Sequence, residues 1–559
     1  MSWFPLNFRS QFSLLTGLHQ PKDIVTKCKE LGYTTVGLTD DGSLAGTVEF
    51  YQSCKSQGVK PIIGCHFNGY YLVANSLIGW KNLIKHQVDS SHSDYDGLLY
   101  IATSSEKLEW AINILGKGCL FAGLEPFDGQ NINMMRLHAY NENIPTIPLC
   151  SPYYLSQENQ IDQNLLVCLK DKKSLADVKK GRLDPSLLKF FDQGRYSLKN
   201  EEELRKVFVD KEIDNLSLLL DRVEDFNILS RPKMPVFKTP SGELPDDYLR
   251  ELAQYGWYNK IEGKVDAKRY QEYVDRMAME LSVIKETCLL ANQLLVVRDY
   301  IEAAKKRGEL VGLARGSAAS SLVSYLVGVT GFDPIPHDLV WERFYNQGRN
   351  TKDKVSLADI DVDFEMLNRH KTVNYLKETY GGEKVAHMAT YGREMGRGAL
   401  KDVLRTHSAC SFDEMNRMTE FIPDEAAISD ELQEMREEGE EASIILWALQ
   451  NNASQLSEWC KLTDSGKLDG PFSYYFAQAI RLEGTKKSQS KHASGVIVSN
   501  EDLLDFCPMA YDKNGELVCS PPMNDIEAIG GVKMDVLATK ILDKMSGWER
   551  LMRKEKVAI

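Results

Sequence analysis

Residues 356–365 read SLADIDVDFE, so Asp359, Asp361 and Asp363 alternate with Ile360, Val362 and Phe364. A period of two predicts a strand with its carboxylates on one face and its apolar side chains on the other. Carboxylates two residues apart on a strand lie roughly 6–7 Å from each other and repel by roughly 2–3 kcal/mol at an effective dielectric of about 20. Water on an exposed sheet face can offset that cost, and so can a divalent cation, which prefers carboxylate oxygens. An EF-hand is excluded, because the positions it needs as Gly and Glu are Phe364 and His370 here. A cation on this strand therefore needs partners from elsewhere. GGVKMDVLATK, residues 530–540, offers one: Val532, Met534 and Val536 alternate with Lys533 and Asp535.

Three other stretches carry groups suited to phosphate. LVGLARGSAASSLVSYLVG, residues 310–328, reads as a strand, a tight turn and a helix opening with small residues. Gly316 and Ser317 at such an opening let backbone N–H groups approach an anion, although a small-residue helix packed on a sheet has the same composition. No Gly-Lys-Ser/Thr follows, so this is not a Walker A loop. Arg393, Arg397, Lys401 and Arg405 recur every fourth residue. On a helix they form a basic stripe that suits a sugar-phosphate backbone or simply faces water. Arg481, Lys486, Lys487, Lys491 and His492 precede an apolar strand, where His492 serves either a ligand or a turn. Two aspartates on one strand, a third on another, a phosphate-binding helix start and several cations are what two-metal phosphoryl transfer needs.

The elements that must position these groups belong to a chain of 559 residues, long enough for two to four domains. Hydrophobic residues at 43% and charged residues at 26% describe an ordinary globular protein. MSWFPLNFRSQ lacks the apolar core of a signal peptide and no uncharged apolar run approaches 18 residues, so neither secretion nor membrane spanning is expected. The eleven cysteines form no CxxC pair, which fits a reducing cytoplasm. A net charge of -13 argues against an overall basic surface but allows a local basic channel. From Pro21 to Ile63 the pattern alternates helix and strand as a βα-repeat domain does, and short strands continue to about residue 230. SRPKMPVFKTPSGELP, residues 230–245, marks a domain boundary by its Pro, Ser and Gly content, and two helical stretches follow it. Residues 424–441 carry nine acids against one Arg and read as a solvated helical face.

In this order the motifs resemble those of the C-family replicative DNA polymerases of bacteria. The family's glycine-rich RGS turn is Arg315-Gly316-Ser317, its FERF element is WERF with Arg343, and its PDxDxDF strand is ADIDVDF. Its HAxGVV and VKxDxL strands are HASGVIVS and VKMDVL. The resemblance implies an α/β and α+β multidomain protein, with a βα-barrel domain over residues 1–230. A polymerase β-like nucleotidyltransferase palm follows over 231–405 and 479–559, with a helical thumb inserted at 406–478. It assigns Asp359, Asp361 and Asp535 to two catalytic Mg²⁺ ions, with Asp363 in support. Arg315, Gly316, Ser317, Arg343 and Lys533 would bind the incoming dNTP. Primer-template DNA would meet Arg393, Arg397, Lys401, Arg405, Lys486, Lys487, Lys491 and His492. Ala358 replaces the family's proline, which supplies rigidity and not chemistry.

SQFSLLTGL, VGLTDDGSLAGTVEFY and KPIIGC resemble landmarks of the polymerase-and-histidinol-phosphatase (PHP) domain. Its metal-ligand positions depart from the family: HxH is Asn7-Phe8-Arg9, Asp-His-Gly is Asp40-Asp41-Gly42, the acid after GC is His66, and the late Asp-x-His is Ser151-Pro152-Tyr153. Asp40 and Glu49 remain, too few for a multinuclear site, so a structural domain without phosphoesterase activity is expected.

The chain runs 24 residues past Asp535, where the family continues into fingers and further domains. A split polymerase completed by a second, fingers-bearing polypeptide, which could also reach a sliding clamp, is expected over a truncated product. The competing function is a non-catalytic module that binds primer-template or the replisome. It would be indifferent to Asp359→Ala, whereas a metallophosphoesterase would keep hydrolysing without that carboxylate.

Overall fold

The computed structural model describes residues 3–126, 131–192, 194–287, 289–349, 357–437 and 442–552. Its strands, numbered along the chain, are β1 (Thr35–Leu38), β2 (Lys60–Phe67), β3 (Tyr70–Ala74), β4 (Leu98–Ala102), β5 (Leu120–Leu124), β6 (Thr146–Pro148), β7 (Asp361–Glu365), β8 (Val385–Arg393), β9 (Lys461–Leu462), β10 (Leu468–Asp469), β11 (Lys486–Val498), β12 (Met509–Tyr511), β13 (Leu517–Cys519) and β14 (Val532–Thr539). Two compact units divide the chain: residues 1–227 with 390–490, and residues 228–389 with 491–559.

In the first unit, helices Pro21–Glu30 and Thr47–Gln57 alternate with β1 and β2 as the βα pattern predicts. β1 to β6 form one sheet in sequence order. The all-parallel arrangement of a βα barrel is interrupted, because β3 runs antiparallel to both β2 and β4. The cause is local: Asn68-Gly69, with Gly69 at φ +83°, joins β2 to β3 as a hairpin. The segment Pro5–Arg9 bridges the two sheet edges. Gly37 N donates to Pro5 O at 2.7 Å on the β1 side, and Arg9 N donates to Pro152 O at 2.9 Å beyond β6.

The helices from Gly396–His407 to Ser473–Leu482 lie in the same unit. The insertion expected over 406–478 falls within this segment, and its apolar residues share one core with Tyr153, Leu165, Phe190 and Tyr196. In the acidic stretch, helix Ser429–Glu437 buries only Leu432, while residues 438–441 lie outside the described residues.

The second unit has three helices, Pro245–Lys260, Tyr270–Glu286 and Leu290–Lys306, where the sequence predicts two helical stretches. Its sheet has the order β12-β13-β8-β11-β14-β7, with β14 parallel to β7 and antiparallel to β11. Ile360, Val362, Phe364, Val532, Met534 and Val536 enter its core. The Pro-rich stretch is extended but ordered by hydrogen bonds: Lys233 N donates to Gly530 O at 2.7 Å, and Phe237 N to Asn292 Oδ1 at 2.8 Å. Among the described residues no helix is long and apolar enough to cross a membrane.

Candidate functional site

β7 begins at Asp361, two residues later than the aspartate alternation predicts. The side chain of Gln293 explains the late start. Ala358 N donates to Gln293 Oε1 at 3.1 Å and Gln293 Nε2 donates to Ala358 O at 2.7 Å, so a buried amide takes the place of a neighbouring strand. The burial alternation nevertheless continues upstream, with Ile360 buried and Asp359 exposed.

Asp361 is paired directly with Asp535 across β7 and β14, so both carboxylates leave the same face of the sheet. Asp359 joins them, and ligand oxygens of all three lie within 4.8 Å of one another. Among the described residues no other group of three His, Cys, Asp or Glu side chains is so arranged. Burial, then the charge of Asp359, pushes the Asp361 pKa up, although Arg315 and Lys533 oppose it. Burial likewise raises Asp535, against the opposing Lys533, whose Nζ lies 2.8 Å from Asp535 Oδ2. Burial alone would lower the Lys533 pKa, but its bond to Asp535 and the three negative charges reverse the direction. Three hard oxygen donors at this spacing fit a divalent cation, which would relieve the same repulsion.

The glycine turn lies against these carboxylates. Val311 makes a single bridge to Phe364 in place of the predicted strand, and Gly316–Ser320 is a 3₁₀ turn before the short helix Leu322–Val327. Gly316 has φ +59°, which favours glycine, and a Cβ there would stand 3.0 Å from Asp361 Oδ2 and crowd that carboxylate. Ser317 Oγ donates to Asp359 O at 3.4 Å. Beyond the turn, the fully buried Glu280 accepts from the backbone N–H groups of Leu322 and Val323, both at 2.9 Å, and fixes the helix start. Arg343 is exposed on a 3₁₀ turn, Trp341–Arg343, that packs against Gly316–Ser320.

The basic residues are placed less uniformly. Arg393 ends β8 and pairs with Glu425 at 3.1 Å, so it is not on helix Gly396–His407 and the four residues do not form one helical stripe. Arg397 donates to Ile422 O at 2.9 Å, Lys401 to Asn416 Oδ1 at 2.9 Å, and Arg405 pairs with Asp402 at 2.8 Å. Lys486 Nζ lies 4.2 Å from the Phe12 ring centroid, and Lys487 pairs with Glu394 at 3.1 Å. These six residues belong to the first unit, whereas the carboxylates and Lys491 and His492 belong to the second. Lys491 pairs with Glu516 at 2.6 Å. His492 Nδ1 accepts from Ser494 N at 3.1 Å and Gly495 N at 2.7 Å within β11, and burial lowers its pKa. Sequence reasoning missed Arg369, which opens helix Arg369–Tyr380 and donates from Nη1 to Ser494 Oγ at 3.5 Å. Its only sequence cue is a position just past the acidic strand.

In the first unit, most positions of the PHP ligand set converge on a guanidinium. Arg9, 1% exposed, donates to Asn7 O and Tyr71 Oη, both at 2.8 Å, and to Asp41 Oδ1 at 3.1 Å. His66 Nδ1 lies 2.7 Å from Asp41 Oδ1, Ser151 Oγ donates to Glu125 Oε1 at 3.0 Å, and Asn7 Nδ2 to Ser151 Oγ at 2.9 Å. Tyr71 Oη donates to Glu125. A buried cation already fills the centre, so this donor set does not fit a metal. Tyr71 and Glu125 carry no local sequence signal, standing 62 and 54 residues from their partners.

The family model of the bacterial DNA polymerase III alpha NTPase domain matches residues 247–538, which hold every carboxylate of the site. The chain belongs to the bacterial DNA polymerase III alpha family. A PHP domain model matches residues 5–144. The DNA polymerase III subunit alpha of Bacillus subtilis (strain 168) is 29% identical over 601 aligned positions, which cover 99% of this chain and 50% of the relative. That of Aquifex aeolicus (strain VF5) is 28% identical, covering 98% of this chain and 52% of the relative. The chain thus spans about half the length of the curated relatives it matches. A solved amidohydrolase from Chromobacterium violaceum covers 27% of this chain and 87% of its own at 11% identity, with a TM-score of 0.19 that carries no argument.

Proposed function

We propose that this chain carries the catalytic palm of a DNA-templated DNA polymerase, over residues 231–405 and 479–559. The observation that supports it most is the convergence of Asp359, Asp361 and Asp535 on paired strands, beside a glycine turn and Lys533. When bound there, two Mg²⁺ ions would activate a primer 3′-hydroxyl and stabilise the departing pyrophosphate. The three aspartates hold that charge in place. Gly316 brings backbone N–H groups close to the triphosphate, with Ser317 beside it. Arg315, Arg343 and Lys533 offset the negative charge of the phosphates. Residues 406–478 act as the thumb, and the exposed Arg393 and Arg405 are the members of the basic set best placed to meet DNA.

Helix Lys540–Met552 exposes Ile541, Met545, Trp548 and Leu551 at 47–62%, an apolar face suited to docking a protein segment that carries the fingers. The PHP-like domain, residues 1–230, serves as a metal-free scaffold, and the protein works in the cytoplasm.

Primer extension by the purified chain with Mg²⁺ and four dNTPs, with and without lysate from its source as a supply of fingers, tests this reading. Asp359→Ala and Asp535→Ala should each lower extension by at least about a thousandfold. Extension indifferent to both substitutions, or primer-template binding with no extension under any condition, would favour the non-catalytic module.

A further inference from the structure

Asp363, the second aspartate of β7, stands outside the group that converges with Asp535, yet the segment leading to the glycine turn is tied along β7. The ties run in order: Leu310 N donates to Glu365 Oε1 at 2.8 Å, Val311 bridges Phe364, Gly312 N donates to Asp363 O at 2.8 Å, and Ser317 Oγ reaches Asp359 O at 3.4 Å. A Cβ on Gly312 would stand 3.0 Å from the Asp363 Cβ, so a side chain there would crowd Asp363. Arg315 then reaches back, with Nη1 3.3 Å from Asp363 Oδ1 and Nε 4.0 Å from Asp361 Oδ2. The Arg315 side chain is 52% exposed and that of Asp363 18%, so the carboxylate is the more firmly held partner. An exposed arginine has many rotamers, and a charge-assisted bond to a fixed carboxylate selects among them.

We infer that Asp363 is a positioning residue: it binds no metal, and instead aims Arg315 across the glycine turn at the triphosphate of the incoming nucleotide. The inference rests on the polymerase reading above. It also gives the third carboxylate of the alternating strand a purpose distinct from the other two.

The test uses the full chain with a dideoxy-terminated primer-template, Mg²⁺·dATP binding by calorimetry and Mn²⁺ binding by electron paramagnetic resonance. Asp363→Asn and Arg315→Ala should each weaken Mg²⁺·dATP binding about tenfold, and the double variant should be no worse than either single one. Asp363→Glu should recover most of the affinity, which a folding defect would not. Mn²⁺ binding should stay within about twofold in Asp363→Asn and be lost in Asp361→Asn. Additive effects, unchanged dATP affinity in Asp363→Asn, or Mn²⁺ loss in that variant would overturn the positioning role while leaving the polymerase reading intact. Failure of the unaltered chain to take up Mn²⁺ would overturn both, and failure to take up dATP would overturn the positioning role.

Discussion

At the scale of single residues, the chain places charge in two contrasting ways. In the second unit, three carboxylates gather and leave room for an external cation. In the first, Arg9 is that cation, with Asp41 on one side and Tyr71 and Asn7 on the others. Replacing Arg9 by Met strands the buried Asn7 carbonyl and removes the cation paired with Asp41, and should cost about 2–4 kcal/mol in urea unfolding at neutral pH. EDTA should leave the melting temperature of the unaltered protein unchanged. Burial raises the Asp41 pKa, but Arg9 and the His66 ring outweigh it and hold it well below the ordinary 3.8. A carboxylate so depressed stabilises the fold fully above its ordinary value and ceases to do so as pH falls below it. The unaltered protein should therefore lose stability in acid below about pH 4 more steeply than Arg9→Met, as acid-unfolding curves followed by circular dichroism would reveal. The aspartates were legible because their alternation is local. Tyr71, Glu125 and Arg369 were not, because their roles depend on partners between 54 and 125 residues away.

At the scale of elements, periodicity located the helices and strands around β1 and β2 and the apolar faces of β7 and β14. It failed where a side chain substitutes for a strand or a turn interrupts a helix. Gln293 is one such substitute: by hydrogen-bonding both sides of Ala358 it delays β7, and nothing 65 residues upstream announces it. That contact uses the N–H which proline lacks. Ala358→Pro, although it restores the residue of the C-family pattern, should lower stability by about 1–3 kcal/mol, because it leaves the buried Gln293 Oε1 without its donor. Thermal melts of Ala358→Pro alone and with Gln293→Met would check this. The substitution should cost clearly less in the Gln293→Met background. The turn at Gly316 was legible as a turn, but the small residues expected to open the helix form the 3₁₀ turn Gly316–Ser320, so the α-helix begins only at Leu322, where Glu280 accepts its first N–H groups.

At the scale of the whole molecule, sequence order misleads about which segments share a core. Leu400, Met418 and Phe476 pack with Tyr154 and Leu166, more than 230 residues earlier, and no periodicity encodes such a pairing. A helical segment of about 70 residues buries little apolar surface alone, so a shared core is its economical solution. The basic pattern misled for a related reason, since Arg397 and Lys401 spend their charge on Ile422 and Asn416. Among the described residues one compact acidic site stands, within a region matched to a polymerase family. If this site holds catalytic cations, direct Mn²⁺ titration of the full chain with primer-template and dATP detects them without requiring turnover. Two Mn²⁺ per chain are expected, with loss of both in Asp535→Ala and no change in Arg9→Met. No stoichiometric Mn²⁺, or uptake that survives Asp535→Ala, would rule out a catalytic cation site here.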